Sequence, residues 1–228
     1  MRNILYCITL LASLPLYPQK LERITIKGGE GYRQSLIRQL YHYPSFSNGV
    51  INLKNGDTIN ASMNYHKGLD QIHLIAGTDT IAITKNYEIK NVVIGNDSFY
   101  HKGIFIRVIQ TTTHFKLGVQ EKIRAANKEE NVPYQRTPAP GSSAESSSVI
   151  ELNKYGNPDG KKDFALIKQT IFYIGDKYHR FTKLTRKNIL YMFPGKVDQV
   201  NTYLQQNSVV LHDEEDVKEL IVFLETLR

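Results

Sequence analysis

Over residues 49–65 the chain reads GVINLKNGDTINASMNY, two runs in which apolar and polar residues alternate on either side of an Asn55-Gly56 pair. Alternation with a period of two marks a strand with one buried face, because successive side chains leave opposite sides of a sheet. Register decides how the two runs meet. A two-residue loop would set Ile51 opposite Asn60 and Ile59 opposite Asn52, mixing polar and apolar on both faces. A three-residue loop, Lys54-Asn55-Gly56 with Gly56 left-handed as a bulge, sets Ile51 opposite Ile59 and Asn52 opposite Thr58. Ile51, Leu53, Ile59, Ala61 and Met63 then share one face, and Val50, Asn52, Thr58, Asn60, Ser62 and Asn64 share the other. The expected sheet is antiparallel, with an apolar side toward a core and an asparagine-rich side toward water or a ligand.

The same grammar recurs over 72–75, 80–84, 89–94, 104–110 and 115–123, punctuated by Gly77, Gly95 and Gly103. Short strands at this spacing predict a meander that curls into a sandwich or small barrel. Ahead of the meander, Leu36, Ile37, Leu40 and Tyr41 recur at helical spacing within 32–43, and Pro44 ends that helix. Two more strand-like runs, 164–174 and 177–183, are joined at Gly175-Asp176 and either extend the first sheet or found a second unit. The end of the chain reads as helices over 185–193, 196–206 and 213–227. The last buries Val217, Leu220, Ile221, Leu224 and Leu227, and its acidic start, with Asp213 as cap, suits the positive end of a helix. The fold class is therefore α+β: an antiparallel β-meander followed by a C-terminal helical segment.

Two stretches fall outside that pattern. Arg2 and Asn3 precede an apolar run from Ile4 to Leu14, and Pro15 and Pro18 break it before Gln19. That is the layout of a secretory signal, and it is shorter than the about 20 apolar residues a membrane span needs. Within 127–157 apolar residues thin out and Pro, Ser, Gly and Glu accumulate, which reads as a disordered loop or linker. The expected organisation is a signal peptide over 1–18, a β-rich domain with a short N-terminal helix over 19–126, a linker over 127–160, and a hairpin with helices over 161–228. The only cysteine, Cys7, lies in the leader behind Tyr6, without the small residues a lipid-attachment cysteine follows. The mature chain then has no disulfide, no thiolate metal site and no cysteine nucleophile.

In the chemistry-bearing residues, a nucleophile elbow, a paired-histidine zinc helix, a phosphate loop and a dinucleotide fingerprint are all lacking. No cofactor, no metal and no catalytic residue is assigned. An alternative enzyme reading rests on His66 and His73 flanking Asp70, with Asp79 on the next turn, as an acid–base or metal cluster of a hydrolase or metal-dependent enzyme. The asparagine side, as Asn52, Asn60, Asn64 and Tyr65, is a candidate binding face for a glycan or peptide. Lys177, Arg180, Lys183, Arg186 and Lys187 follow one another with no acid between them, and form a candidate anion patch for phosphate groups. Net charge is +7 over 228 residues.

Phe46, then NGVINLKNGD, MNY (63–65), GTDTIA (77–82), VVIG (92–95) and Phe99-Tyr100 follow one another in an order that resembles a family of uncharacterised exported bacterial proteins. A Ser/Gly-rich stretch over 141–148, Phe193-Pro194 and the helix from Asp213 continue the resemblance, with departures at His66 and Val217. It implies export and a meander with a helical tail, and carries no activity, cofactor or catalytic residue. The expected protein is a non-enzymatic module of the periplasm, outer membrane or cell surface. Its partner would be an envelope glycan, lipid headgroup or protein; nucleic acid is not expected, and no transmembrane segment is expected in the mature chain.

Overall fold

The computed structural model describes residues 21–83, 88–126 and 161–228. The expected leader and the whole of the expected linker, 127–160, lie outside them. Eleven antiparallel strands form one sheet. In chain order they are β1 (Leu21–Ile26), β2 (Ser47–Leu53), β3 (Thr58–His66), β4 (Gln71–Ala76), β5 (Asp79–Ala82) and β6 (Ile89–Ile94). There follow β7 (Asp97–His101), β8 (Phe105–Thr111), β9 (Phe115–Ala125), β10 (Phe164–Asp176) and β11 (Phe181–Lys183). Among the described residues four α-helices accompany them: α1 (Tyr32–Leu40), α2 (Arg186–Met192), α3 (Val197–Gln206) and α4 (Glu214–Thr226).

Across the sheet the order is β1-β10-β9-β8-β7-β6-β2-β3-β4-β5. The free side of β10 is shared, β1 covering its first half and β11 its last turn. Because β10 pairs with β9 from Phe115 to Ala125, the C-terminal segment extends the first sheet. Ile51 lies opposite Ile59 and Asn52 opposite Thr58, the register that alternation demands, with Gly56 at φ 98°.

The sheet is open, neither closed into a barrel nor divided into a sandwich, but it is strongly curled. In strand order β3 and β8 stand four places apart, about 19 Å in a flat sheet at ordinary strand spacing. The Tyr65 ring nevertheless lies 6.2 Å from that of Phe105 and 5.3 Å from that of Phe99. Bulges in the β2–β6 and β8–β9 ladders supply extra local twist.

Inside the curl Ile51, Met63, Ile72, Val92, Ile94, Phe99 and Phe105 form one core. A second core joins Phe115, Leu117, Val119, Phe172 and Ile174 to the inward stripe of the tail, including Ile189, Val200, Val217, Leu220 and Leu224. The C-terminal helices therefore pack on the sheet. A third sets Leu36 and Leu40 of α1 against Ile26, Ile123, Phe164 and Leu166. At about 1.5–3 kcal/mol per large apolar side chain buried, these clusters are what holds a chain whose described part has no cysteine.

Several boundaries differ from the expected ones. Helix α1 stops at Leu40, because Tyr41 is extended (φ −95°, ψ 153°) and bridges His66. The run over 177–183 yields only β11, since 176–180 turn the chain and His179 takes φ 61°. Strands β1 and β7 are additional. Ile59 belongs to the apolar side yet is 47% exposed, because the curl opens at the β2–β3 tip into a groove of 270 Å³ that Leu53 and Ile81 also line.

Candidate functional site

Four residues carry the chain from β3 to β4, and the last of them, Asp70, has φ 52°, a conformation that Asp and Asn adopt more readily than most. That geometry sends its carboxylate across the curl. Oδ1 accepts the Tyr65 hydroxyl at 2.7 Å and the Phe105 N–H at 3.2 Å, and Oδ2 accepts Gln120 Nε2 at 3.2 Å. Tyr173 donates in turn to Gln120 Oε1 at 3.3 Å. Gln120 is 1% exposed, so this is a buried polar chain joining the β3–β4 turn to β8, β9 and β10. Burial pushes the Asp70 carboxyl pKa up, against the opposing pull of the Tyr65 and Phe105 donors. The Tyr65 hydroxyl pKa is pushed well above its ordinary value by burial and by the Asp70 charge.

Beside this chain, residues 41–45 run along β3 as a partial extra strand. His42 N–H donates to the Tyr65 carbonyl at 2.9 Å, and Lys67 N–H to that of Leu40 at 2.7 Å. Asn64 completes the pairing with its side chain: Oδ1 accepts Tyr43 N–H at 3.1 Å, and Nδ2 donates to the Tyr43 carbonyl at 2.9 Å. An amide can do this because it carries an acceptor and donors in the geometry of a peptide group.

Two further groups hang on that segment. Tyr41 hydroxyl lies 2.8 Å from His73 Nδ1, and the His66 ring stands 5.0 Å from that of His73 and 4.8 Å from that of Tyr41. His66 Nδ1 accepts Leu69 N–H at 3.1 Å, which places the proton of the neutral ring on Nε2. Burial, then the neighbouring His73, lowers its pKa to about 4. His42 sits between Glu121 at 3.3 Å and Asp97 at 3.6 Å. Asp97 also accepts the Tyr43 hydroxyl at 2.6 Å and faces Arg107 at 3.4 Å, while Lys168 reaches Glu121 at 2.9 Å. The hydrogen bonds from His42 and Lys168 hold the Glu121 carboxyl far below the usual carboxylate range, against the pull of burial.

His66 and His73 meet, but the Asp70 carboxylate is engaged by Tyr65, Phe105 and Gln120, and Asp79 is exposed at the start of β5. Among the described residues no three His, Cys, Asp or Glu side chains converge as a metal-binding group. Of the asparagine face, Asn60 lines an open concavity of 490 Å³ with Asn48, Gly49 and Ser62. A Cβ on Gly49 would come 2.5 Å from the Val93 carbonyl oxygen, so only glycine fits that floor. Asn52 is half-buried opposite Thr58, and Asn64 and Tyr65 are buried, the first against residues 43–45 and the second against Asp70. In the basic run Arg180 pairs with Asp176, Arg186 donates to Asn201 at 2.7 Å, and Lys177, Lys183 and Lys187 are exposed.

Sequence reasoning passed over His42, Asp97, Glu121 and Gln120. For Glu121 a signal existed, since by alternation it shares a face with Leu117, Val119 and Ile123, an acid in an apolar row. Gln120 had none, because the face opposite that row was expected to be wet. No protein-family model matches the chain, and no curated protein or solved structure matches it.

Proposed function

We propose that the protein is a non-enzymatic exported module of the cell envelope, belonging with the exported bacterial proteins its motifs resemble, and that it works by presenting surfaces rather than by turning over a substrate. The observation that carries the reading is how Asp70 is used. A buried carboxylate beside two histidines is what an acid–base site would employ, yet here its oxygens accept donors from Tyr65, Phe105 and Gln120. Glu121 and Asp97 are likewise spent bracing β7, β9, β10 and the 41–43 segment. Side chains with the most chemistry thus tie the curl together, leaving the open concavity around Asn60 and the outer face of the sheet for contact with a partner.

Export is supported by the leader pattern and by the confinement of cysteine to position 7 within it. No helix among the described residues is long and apolar enough to cross a membrane. A reporter enzyme that is active only outside the reducing interior, fused behind residues 1–30, tests the reading. Activity of the fusion is expected; an inactive, cytoplasmically retained fusion would overturn it.

A further inference from the structure

We infer that the surface built from Tyr100, His179 and Phe181 and ringed by Lys90, Lys102, Lys116, Lys177 and Arg180 docks on the phosphate headgroups of an anionic lipid membrane. The inference rests on the envelope reading above and names the partner.

The platform is built into the sheet. Gly118 and Gly175 lie on adjacent strands, and their missing side chains let the Phe181 ring lie flat: a Cβ would meet that ring at 3.1 Å on Gly118 and 2.6 Å on Gly175. Tyr100 continues the shelf, 5.9 Å from Phe181, and stacks on His179 at 4.2 Å with the rings 20° apart. Cations from separate parts of the chain arrive around it. Lys116 is the cross-strand partner of Gly175, which itself pairs with Phe181. Lys102 directly follows β7, and Lys90 is the residue that the β2–β6 bulge leaves without a partner in that ladder. Lys177 and Arg180 flank His179 in the turn.

Among the described residues only Arg180 of these five has an acidic partner, Asp176. Lys90, Lys102 and Lys177 are exposed and Lys116 is half-buried. Burial and the charges of Lys116, Lys102 and Lys90 push the His179 pKa down, which agrees with their clustering. Tyr178 projects from the same turn, 64% exposed, with Lys177 Nζ 5.1 Å and the Arg180 guanidinium 5.4 Å from its ring centre. An exposed amphipathic ring flanked by Lys177, which has no acidic partner among the described residues, and by Arg180 matches the headgroup layer, where aromatic bodies sink to the acyl boundary and ammonium groups meet phosphate. Such a tip distinguishes lipid from a soluble polyanion, which would use the charges and leave Tyr178 idle.

The test is co-sedimentation of the mature chain with vesicles of phosphatidylcholine alone or with 30% phosphatidylglycerol, as a function of salt. Binding only to the anionic vesicles, weakening with salt, is expected. Each lysine at such a surface contributes roughly fivefold, so the Lys102→Glu/Lys116→Glu double variant should bind at least about 25-fold more weakly. Tyr178→Ala should also bind more weakly, and Lys196→Glu, at the start of α3 and outside the platform, should bind as the unaltered chain does. Thermal unfolding verifies that each variant is folded, and Lys90→Glu/Lys177→Glu replaces the first pair if that one is not. Equal binding to neutral vesicles, undiminished binding by both double variants, or tight binding to heparin with none to vesicles would overturn the inference. A chain found in the envelope that ignores anionic vesicles defeats this inference alone; a cytosolic chain that binds them defeats the envelope reading instead.

Discussion

Asp70 Oδ1 accepts the backbone N–H of Phe105 at 3.2 Å, joining residues 35 apart in sequence and strands four places apart in the sheet. Together with the Tyr65 and Gln120 donors, this contact closes the curl. Asp70→Asn keeps a residue that tolerates φ 52° but turns one acceptor into a donor facing donors. The expected loss is about 2–3 kcal/mol in a denaturant titration. Tyr65→Phe should cost about 1 kcal/mol by itself, and less than additively when combined with Asp70→Asn. Full additivity would mean that the hydroxyl and the carboxylate act independently.

His66 gives the fold a pH dependence of definite sign. Its folded pKa, about 4, lies below the ordinary 6.5, so the unfolded chain takes up a proton first as pH falls. Stability from this group is complete above pH 6.5, declines between 6.5 and about 4, and totals about 3 kcal/mol. His66→Asn keeps an acceptor for the Leu69 N–H and removes the titration. Unfolding midpoints measured across that window should slope less in the variant; an unchanged slope would place the effect elsewhere.

Glu121 works in a lower window. Its folded pKa lies below the usual 4.5, so its stabilisation is present above 4.5 and is lost as pH falls through the folded value. Glu121→Gln leaves His42 and Lys168 without their shared carboxylate and should cost about 3 kcal/mol at pH 7. The gap between variant and parent should narrow below pH 4.5. A gap that is constant with pH would show the loss to be one of packing.

Gly118→Ala probes the close packing beneath Phe181. The added methyl would fall 2.3 Å from Ile106 Cγ2, closer than any real contact, in a strand where φ is ordinary. Overpacking of this kind should cost about 1–3 kcal/mol. A stable variant with an unaltered near-ultraviolet spectrum would show that Phe181 and Ile106 are free to move aside.

Local features were legible in the sequence. The hairpin register follows from alternation, and Asp213 caps α4 as its position suggests, Oδ1 accepting Glu215 and Asp216 N–H at 3.1 and 3.3 Å. Both are determined within a few residues. The destination of Asp70 is not, because it depends on a curl that brings β3 to β8. Alternation placed Asn64 on the wet side, and it is buried only because residues 41–45 return over it after α1 ends. The cation platform has the same non-local origin: 177–187 looks like the patch in sequence, whereas Lys90, Lys102 and Lys116 join Lys177 only through strand order.

The proposed envelope role requires that the chain be exported and lose its leader. Intact mass of the protein recovered from fractionated native cells tests it most directly. An envelope-fraction species lacking about the first 18 residues, and with them Cys7, is the expected result. A cytosolic species of all 228 residues, still beginning at Met1, would contradict it.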